Sequence, residues 1–277
     1  MILSVTHIES LELPVLEPYR TLRRPIEHQQ QGIFIAEGDK VVDRLLESNV
    51  RMMSILCSPH WFGALKERLE AKQDLIDAFI AEERLMETIV GHRLHKCVMA
   101  IGIIPKHGTL DEMLTRVTHA PFLVAVDGIM NAENMGVIIR NCAGFSADAL
   151  LVSDSSCDPY LRRSVRNSMG NIFRLPICYE PSLATLLESA RSRGIRVFAA
   201  DAHAETVELS DARFEQPCCI VLGSEGTGIS RGVLDVCDES VRIPMRDGFD
   251  SFNVASASAV LMYEVQRRRR MLSRQKK

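Results

Sequence analysis

The chain has 277 residues, 46% of them hydrophobic and 25% charged, a globular composition that excludes collagen-like, mucin-like and wholly disordered classes. Its 33 Lys and Arg against 36 Asp and Glu leave a net charge of −3, so no global basic field advertises nucleic acid, and any such contact has to come from local patches. The longest apolar runs, such as residues 121–126 and 218–222, fall far short of the ~20 residues of a membrane span, and residues 9–18 are acidic and contain proline, unlike a secretory leader. A cytoplasmic protein without membrane association is expected.

In chain order, residues 32–37 read as a strand, 39–48 as a helix capped by Asp39, 53–57 as a second strand, and 61–72 and 74–87 as helices. An apolar strand-like run follows at 97–104. Together these make a small α/β domain over residues 19–106, opened by Tyr19, Arg20, Arg23 and Arg24, with residues 1–18 as an extension before it. Pro105 followed by Gly108 is a break signal. Residues 107–118 therefore read as a linker, and 119–277 as a second domain. There, strand-like runs recur at 122–126, 149–152, 197–200, 220–222 and 241–243 with helical segments between most of them, which predicts an α/β fold with a parallel sheet covered on both faces. The arginines at 267–270, with Lys276 and Lys277, read as a solvated helix end or tail.

Eight cysteines, at 57, 97, 142, 157, 178, 218, 219 and 237, stand in apolar surroundings with no C-x-x-C pair. They predict reduced core thiols. His92 and His95 lie three apart, but no Cys or second His pair completes a zinc set, so no metal is expected.

Polar residues and glycines gather after three of the predicted strands of the second domain, and in open α/β sheets ligands bind at the carboxyl ends of strands. The first cluster holds Asp127, Gly128, Asn131, Asn134, Gly136 and Arg140; Asn134 would begin a helix, and Arg140 would sit less than two turns inside it among apolar neighbours, where it needs a partner or a site. The second holds Gly223, Ser224, Glu225, Gly226, Thr227 and Gly228, glycines that permit tight turns and close backbone approach. No Gly-Lys-Ser/Thr follows, which excludes a Walker A loop. Gly226, Gly228 and Gly232 imitate a dinucleotide fingerprint, but too little chain follows for the βαβαβ half of a nicotinamide-dependent oxidoreductase. The third cluster runs from Pro244 through Arg246, Asp247, Gly248 and Asp250 to Ser251, Phe252 and Asn253, ahead of an apolar helix over 254–265. Ser251 and Asn253 suit its N-terminal cap.

In order, the clusters resemble the three motifs of the SpoU (TrmH-type) RNA 2′-O-methyltransferases of the SPOUT class. Asn134, Gly136 and Arg140 match the first; Leu222, Gly223, Glu225, Gly226 and Gly228 the second; and Ile243 to Met245, Gly248, Ser251, Asn253 and Val254 the third. A subsidiary match lies at Ser168, Met169, Gly170, Phe173 and Pro176. Phe252 stands where the family usually has Leu, Asp247 adds an acid, and Ala255 replaces a common Ser. The small domain, through Phe34, Glu37 and Gly38, is similar to the ribosomal-protein-like RNA-binding domain preceding many family members' catalytic domains.

The resemblance implies a C-terminal domain with a deep trefoil knot, an exception to the rule against knotted chains, and a homodimer in which first-motif residues approach the partner's cofactor. It implies S-adenosylmethionine as cofactor, bound by Leu222, Gly223, Gly226, Ile243, Met245, Phe252 and Asn253. Arg140 would activate the ribose 2′-hydroxyl, as general base or electrostatically, with Asn134, Glu225, Ser251 and Asn253 completing the catalytic set. Arg20, Arg23, Arg24, Arg162, Arg163 and Arg166 are the expected phosphate contacts on RNA. Ribosomal RNA is favoured over tRNA because the appended domain is commoner in rRNA-modifying relatives. The alternative is a non-catalytic RNA-binding or ribosome-assembly factor on the same fold.

Overall fold

The structure, a computed structural model, describes residues 1–90, 97–201, 207–246 and 251–275. Its elements in chain order are β1 (Ile2–Ile8), α1 (Glu17–Arg20), α2 (Pro25–Gln30), β2 (Ile33–Glu37), α3 (Asp39–Glu47), β3 (Met52–Cys57), α4 (Pro59–Ala71), β4 (Ile76–Ala81), α5 (Glu83–Val90) and β5 (Val98–Ile103). Then come α6 (Leu110–Leu114), β6 (Phe122–Asp127), α7 (Ala132–Gly144), β7 (Ala149–Val152), α8 (Arg162–Asn167), β8 (Ile177–Tyr179), α9 (Leu183–Ser192), β9 (Arg196–Ala200), β10 (Val207–Glu208), β11 (Cys218–Gly223), α10 (Arg231–Leu234), β12 (Glu239–Arg242) and α11 (Val254–Gln275). The chain forms two units: Met1–Lys106 with Pro159–Phe173, and His107–Asp158 with Arg174–Lys277.

The first unit is a five-stranded mixed sheet in the order β1-β4-β3-β5-β2. Residues 1–18 are part of this unit and not an extension. Residues Ile2–Ile8 form β1, with Leu3, Val5 and His7 on its exposed face, and it pairs in parallel with β4. Residues 74–87 hold a strand and a helix rather than one helix, because Ile76–Ala81 is buried and paired between β1 and β3. Asp39 is the first residue of α3, and Gly38 occupies the cap position with φ +92°. The Pro159–Phe173 segment completes the unit. Tyr160 and Phe173 ring centroids lie 5.4 and 5.2 Å from that of Phe34, and the Arg44 guanidinium donates to the Met169 carbonyl.

The second unit is a seven-stranded sheet, parallel throughout, ordered β10-β12-β9-β11-β6-β7-β8. Every residue of β6 is buried, as a strand covered on both faces requires. Residues 107–118 are not a free linker: Thr109 and Glu112 form a capping box that starts α6, whose Leu110 and Met113 enter the core. Strands β8 and β10, of three and two residues, were not foreseen because they are too short for a periodic signal.

Helix α11 is held at both of its ends. At its start, Asn141 of α7 donates to the Ala255 carbonyl (3.0 Å) and to Ser258 Oγ (2.8 Å). Toward its end the arginine run is structural, not a solvated tail: Arg267 and Arg268 bind Glu264 at 2.6–2.9 Å, and their hydrogen bonds hold its carboxyl below the usual range. The guanidinium of Arg269 donates to the carbonyls of Ala120, Pro121, Phe214 and Gln216 at 2.6–3.0 Å, at the start of β6 and ahead of β11, and stands 5.5 Å above the Phe122 ring. Lys276 and Lys277 lie outside the described residues.

All eight cysteines are free thiols, six of them buried. Burial pushes Cys57 to about 12 and Cys178 and Cys218 to about 11. At pH 8 the native protein is expected to show at most one fast-reacting thiol, Cys157, because burial pushes Cys237 up to about 12 as well, and eight after unfolding in guanidinium; rapid titration of more than one in the native state contradicts this packing. Arg269→Ala is expected to lower the unfolding free energy by about 2–4 kcal/mol in urea titrations because it strips a charged donor from several carbonyls. Arg269→Lys should recover little of that loss, since one ammonium cannot span the same acceptors.

Candidate functional site

The site lies at the carboxyl ends of β6, β11, β9 and β12, where β11 is inserted between β6 and β9. The chain leaves β6 toward β7 on one side and returns to β9 on the other, so the strand order reverses here. Such switch points open a crevice above the sheet.

Helix α7 begins where Asn131 accepts hydrogen bonds from the Glu133 and Asn134 amides, at 2.7 and 3.3 Å. This cap places Asn134 in the first turn, buried and facing the second cluster. Glu225 Oε1 accepts from Asn134 Nδ2 (3.2 Å), from Asn253 Nδ2 and from the Val254 amide (3.4 Å), and Asn253 Nδ2 also donates to Asn134 Oδ1 (3.1 Å). One carboxylate oxygen thus gathers residues from all three clusters. Asn253 also caps α11, its Oδ1 accepting from the Ala255 and Ser256 amides at 3.0 and 3.3 Å. Capping and site-building are the work of the same side chain.

Behind this network is a cavity of about 410 Å³, within the usual range of small-molecule sites. Leu222, Gly223, Gly226, Ile243, Met245 and Phe252 line it, as do Glu225 and Ser251. The loop after β11 closes on itself through reciprocal Ser224 and Gly228 backbone bonds of 3.0 and 2.9 Å. Gly223 permits this: a Cβ there would come within 2.5 Å of the Gly228 carbonyl carbon. Gly228 itself has φ +68°. The loop leads into the four-residue α10, then β12 and α11, so these glycines do not open a dinucleotide domain. Asp201, Val241, Ala257 and Leu261 also line the cavity and were not anticipated. Only the position of Asp201 just past a strand end could have flagged it, since the others are apolar residues indistinguishable from core. Asp247, Gly248 and Asp250 lie outside the described residues.

Arg140, which its apolar sequence context suggested would need a partner or a site, is exposed, with no hydrogen bond or ion pair to another described residue. At ~100° per residue it points well away from Asn134 around α7, whereas Asn141, seven residues from Asn134, shares the face that packs on α11. Arg162 is not available for phosphate. Its guanidinium bonds the buried Glu37 carboxylate at 2.6 and 2.7 Å, and Arg166 approaches the same group at 3.4 Å. Arg163 is exposed. Arg20 pairs with Glu12 at 2.8 Å and Arg24 with Glu27 at 3.3 Å, both on the surface, and Arg23 is exposed. Among the described residues no group of three or more His, Cys, Asp and Glu is placed to hold a metal; His92 and His95 lie outside them. No helix among the described residues is long and apolar enough to cross a membrane.

Residues 121–263 match the SpoU rRNA Methylase family. An uncharacterised tRNA/rRNA methyltransferase of Mycobacterium tuberculosis is 32% identical over 263 residues, covering 91% of this chain and 88% of its own. One from Mycobacterium leprae is 33% identical over 87% of this chain and 72% of its own. Among solved structures, an rRNA methyltransferase from Sinorhizobium meliloti superposes with a TM-score of 0.81 at 22% identity, over 95% of this chain and 98% of its own. The SpoU methyltransferase AviRb from Streptomyces viridochromogenes, in complex with AdoMet, superposes at 0.80 with 24% identity over 94% and 100%. These two likenesses establish the shared fold. With the family match across the whole site and a relative aligned over nearly the full chain, this protein belongs to the SpoU rRNA methylase family and is an RNA methyltransferase.

Proposed function

We propose that the protein transfers a methyl group from S-adenosylmethionine to a ribose 2′-hydroxyl of RNA, as a homodimer. The observation that carries this reading is the cluster of Asn134, Glu225 and Asn253 at the mouth of a cavity walled by glycine backbone and apolar side chains. That lining suits an adenosine with a short polar tail: main-chain groups around Gly223, Gly226 and Ile243 would meet the base and ribose, with Leu222, Met245 and Phe252 flanking them. The bound cofactor supplies an electrophilic methyl group on a sulfonium. The protein's task is then alignment of an oxygen and management of one proton.

Arg140 is the residue proposed to act on that oxygen. A guanidinium is too basic to accept a proton at neutral pH, so its role is to grip an RNA phosphate and stabilise the developing alkoxide; as the C–O bond forms and the sulfonium S–C bond breaks, the hydroxyl proton passes to that phosphate and on to water. Its exposure and its orientation away from Asn134 favour service to the partner subunit's cavity. Ser251, on the cavity wall, would fix the third loop and the substrate. The proposal includes a threaded C-terminal segment, the trefoil knot of the family. The insertion of β12 between β10 and β9, and the packing of α11 on α7, are consistent with it.

The first unit, through Arg20, Arg23 and Arg24, is proposed to hold the RNA backbone, joined by Arg163 and the half-exposed Arg166. Exposed ion pairs such as Arg24–Glu27 contribute little and can be exchanged for phosphate. Ribosomal RNA in the cytoplasm is the proposed substrate, in keeping with the family's description.

Labelled S-adenosylmethionine and ribosomal RNA should yield alkali-resistant labelled dinucleotides; label on a base instead refutes the 2′-O assignment, and no cofactor binding by calorimetry favours a non-catalytic factor. Arg140→Ala is expected to lower turnover at least 100-fold, about 3 kcal/mol of transition-state stabilisation, with cofactor affinity within about threefold of wild type. Arg140→Ala and Glu225→Ala subunits, each inactive alone, should regain about a quarter of wild-type activity when unfolded and refolded together, since half the dimers are mixed and each holds one complete site. No recovery in verified mixed dimers contradicts a shared site.

A further inference from the structure

Asp127 closes β6 beside Gly223 of β11, only 5% exposed, and plays no part in the site as described so far. Its Oδ2 accepts from the Ser230 amide at 2.8 Å. Ser230 ends the loop that begins at Gly223, so the loop is fixed at one end by the sheet and at the other by this carboxylate. Its Oδ1 accepts from Ser155 Oγ at 3.3 Å, and Ser155, Ser153 and Ser156 form a chain of hydroxyls with steps of 2.9 Å. Ser153 and Ser156 accept from the amides of Gly128 and Ile129, at 3.2 and 3.0 Å. Those amides open the turn, with Gly128 at φ +69°, that leads to Asn131 and the start of α7.

We infer that Asp127 is a positioning residue for methyl transfer: one oxygen sets the loop that lines the cavity, and the other, through the serine hydroxyls, sets the turn that delivers Asn134. Asp127 is buried, and each of its oxygens is engaged: one by the loop that lines the cavity, the other by the serine hydroxyls that hold the turn ahead of α7. This assignment rests on the reading that the 224–230 loop takes S-adenosylmethionine.

The two oxygens make separable predictions for the full-length protein, read by calorimetry with S-adenosylmethionine and by turnover at saturating cofactor. Asp127→Ala should weaken cofactor binding about tenfold or more, as for a lost charge-assisted hydrogen bond, and should also lower kcat. Asp127→Asn still offers an acceptor to the Ser230 amide and a donor to Ser155, and should bind within about threefold of wild type. Ser155→Ala should lower kcat several-fold and leave cofactor affinity unchanged. Cofactor binding by Asp127→Ala equal to wild type overturns the inference, as does an equal loss in Asp127→Asn or a loss of cofactor affinity in Ser155→Ala. If Asp127→Ala does not fold, Ser230→Pro deletes the amide donor at a residue already at φ −63° and should show the same weakening. If wild-type protein binds no S-adenosylmethionine, the functional reading fails instead. Limited proteolysis then decides: faster cleavage within 224–230 in Asp127→Ala than in wild type upholds the loop anchor, and equal rates overturn it.

Discussion

The catalytic unit is organised around one carboxylate. Glu225 gathers donors from Asn134, Asn253 and the Val254 amide, with the two asparagines 119 positions apart and all three at the starts of two different helices. A negative charge at these helix starts is favoured by unpaired amides and by both macrodipoles. Glycines beside Glu225 let its loop turn back on itself, and without that turn the carboxylate could not reach both asparagines. The contact between the first turn of α7 and the cap of α11 is made at this junction, beside the cavity wall to which Glu225 also belongs.

The parallel sheet supplies the rigid floor. At its carboxyl ends, short loops present amides, hydroxyls and asparagines. At its opposite edge, Arg269 collects main-chain carbonyls that a strand beginning leaves exposed. Helix α11 spans the distance between these two ends, so the same element that brings Asn253 to the site is anchored on the far side of the core. Rigidity at the reacting end is thereby tied to backbone satisfaction at the other.

Much of the second unit was legible because parallel strands buried on both faces are near-continuous apolar runs, and because the three polar clusters follow strand ends directly. Residues 149–152 and 122–127 are plain in this sense. The first unit was harder to read. Ile76–Ala81 is rich in residues that tolerate either state, and its pairing with β1 and β3, distant in sequence, decided for strand. Arg162 looked like a phosphate ligand because its partner, Glu37, lies 125 residues away in the chain. Arg140 looked buried because a helix shows its exposed face only once its neighbours are known. Asn134, Glu225 and Asn253 could be named from motif resemblance; that one oxygen joins them could not.

The contacts that fix the two ends of α11 are among the longest-range in the chain: Arg269 to Ala120 spans 149 positions, and Asn253 to Asn134, at the site, spans 119. Such closures cost entropy before they return any stabilisation, and they slow folding. During synthesis the first unit's strands β1 to β5 emerge well before α11, and β6 waits for its anchoring arginine until the 149 positions from Ala120 to Arg269 have been made. The capacity to transfer a methyl group therefore depends on α11, which follows all of the first unit's strands in order of synthesis.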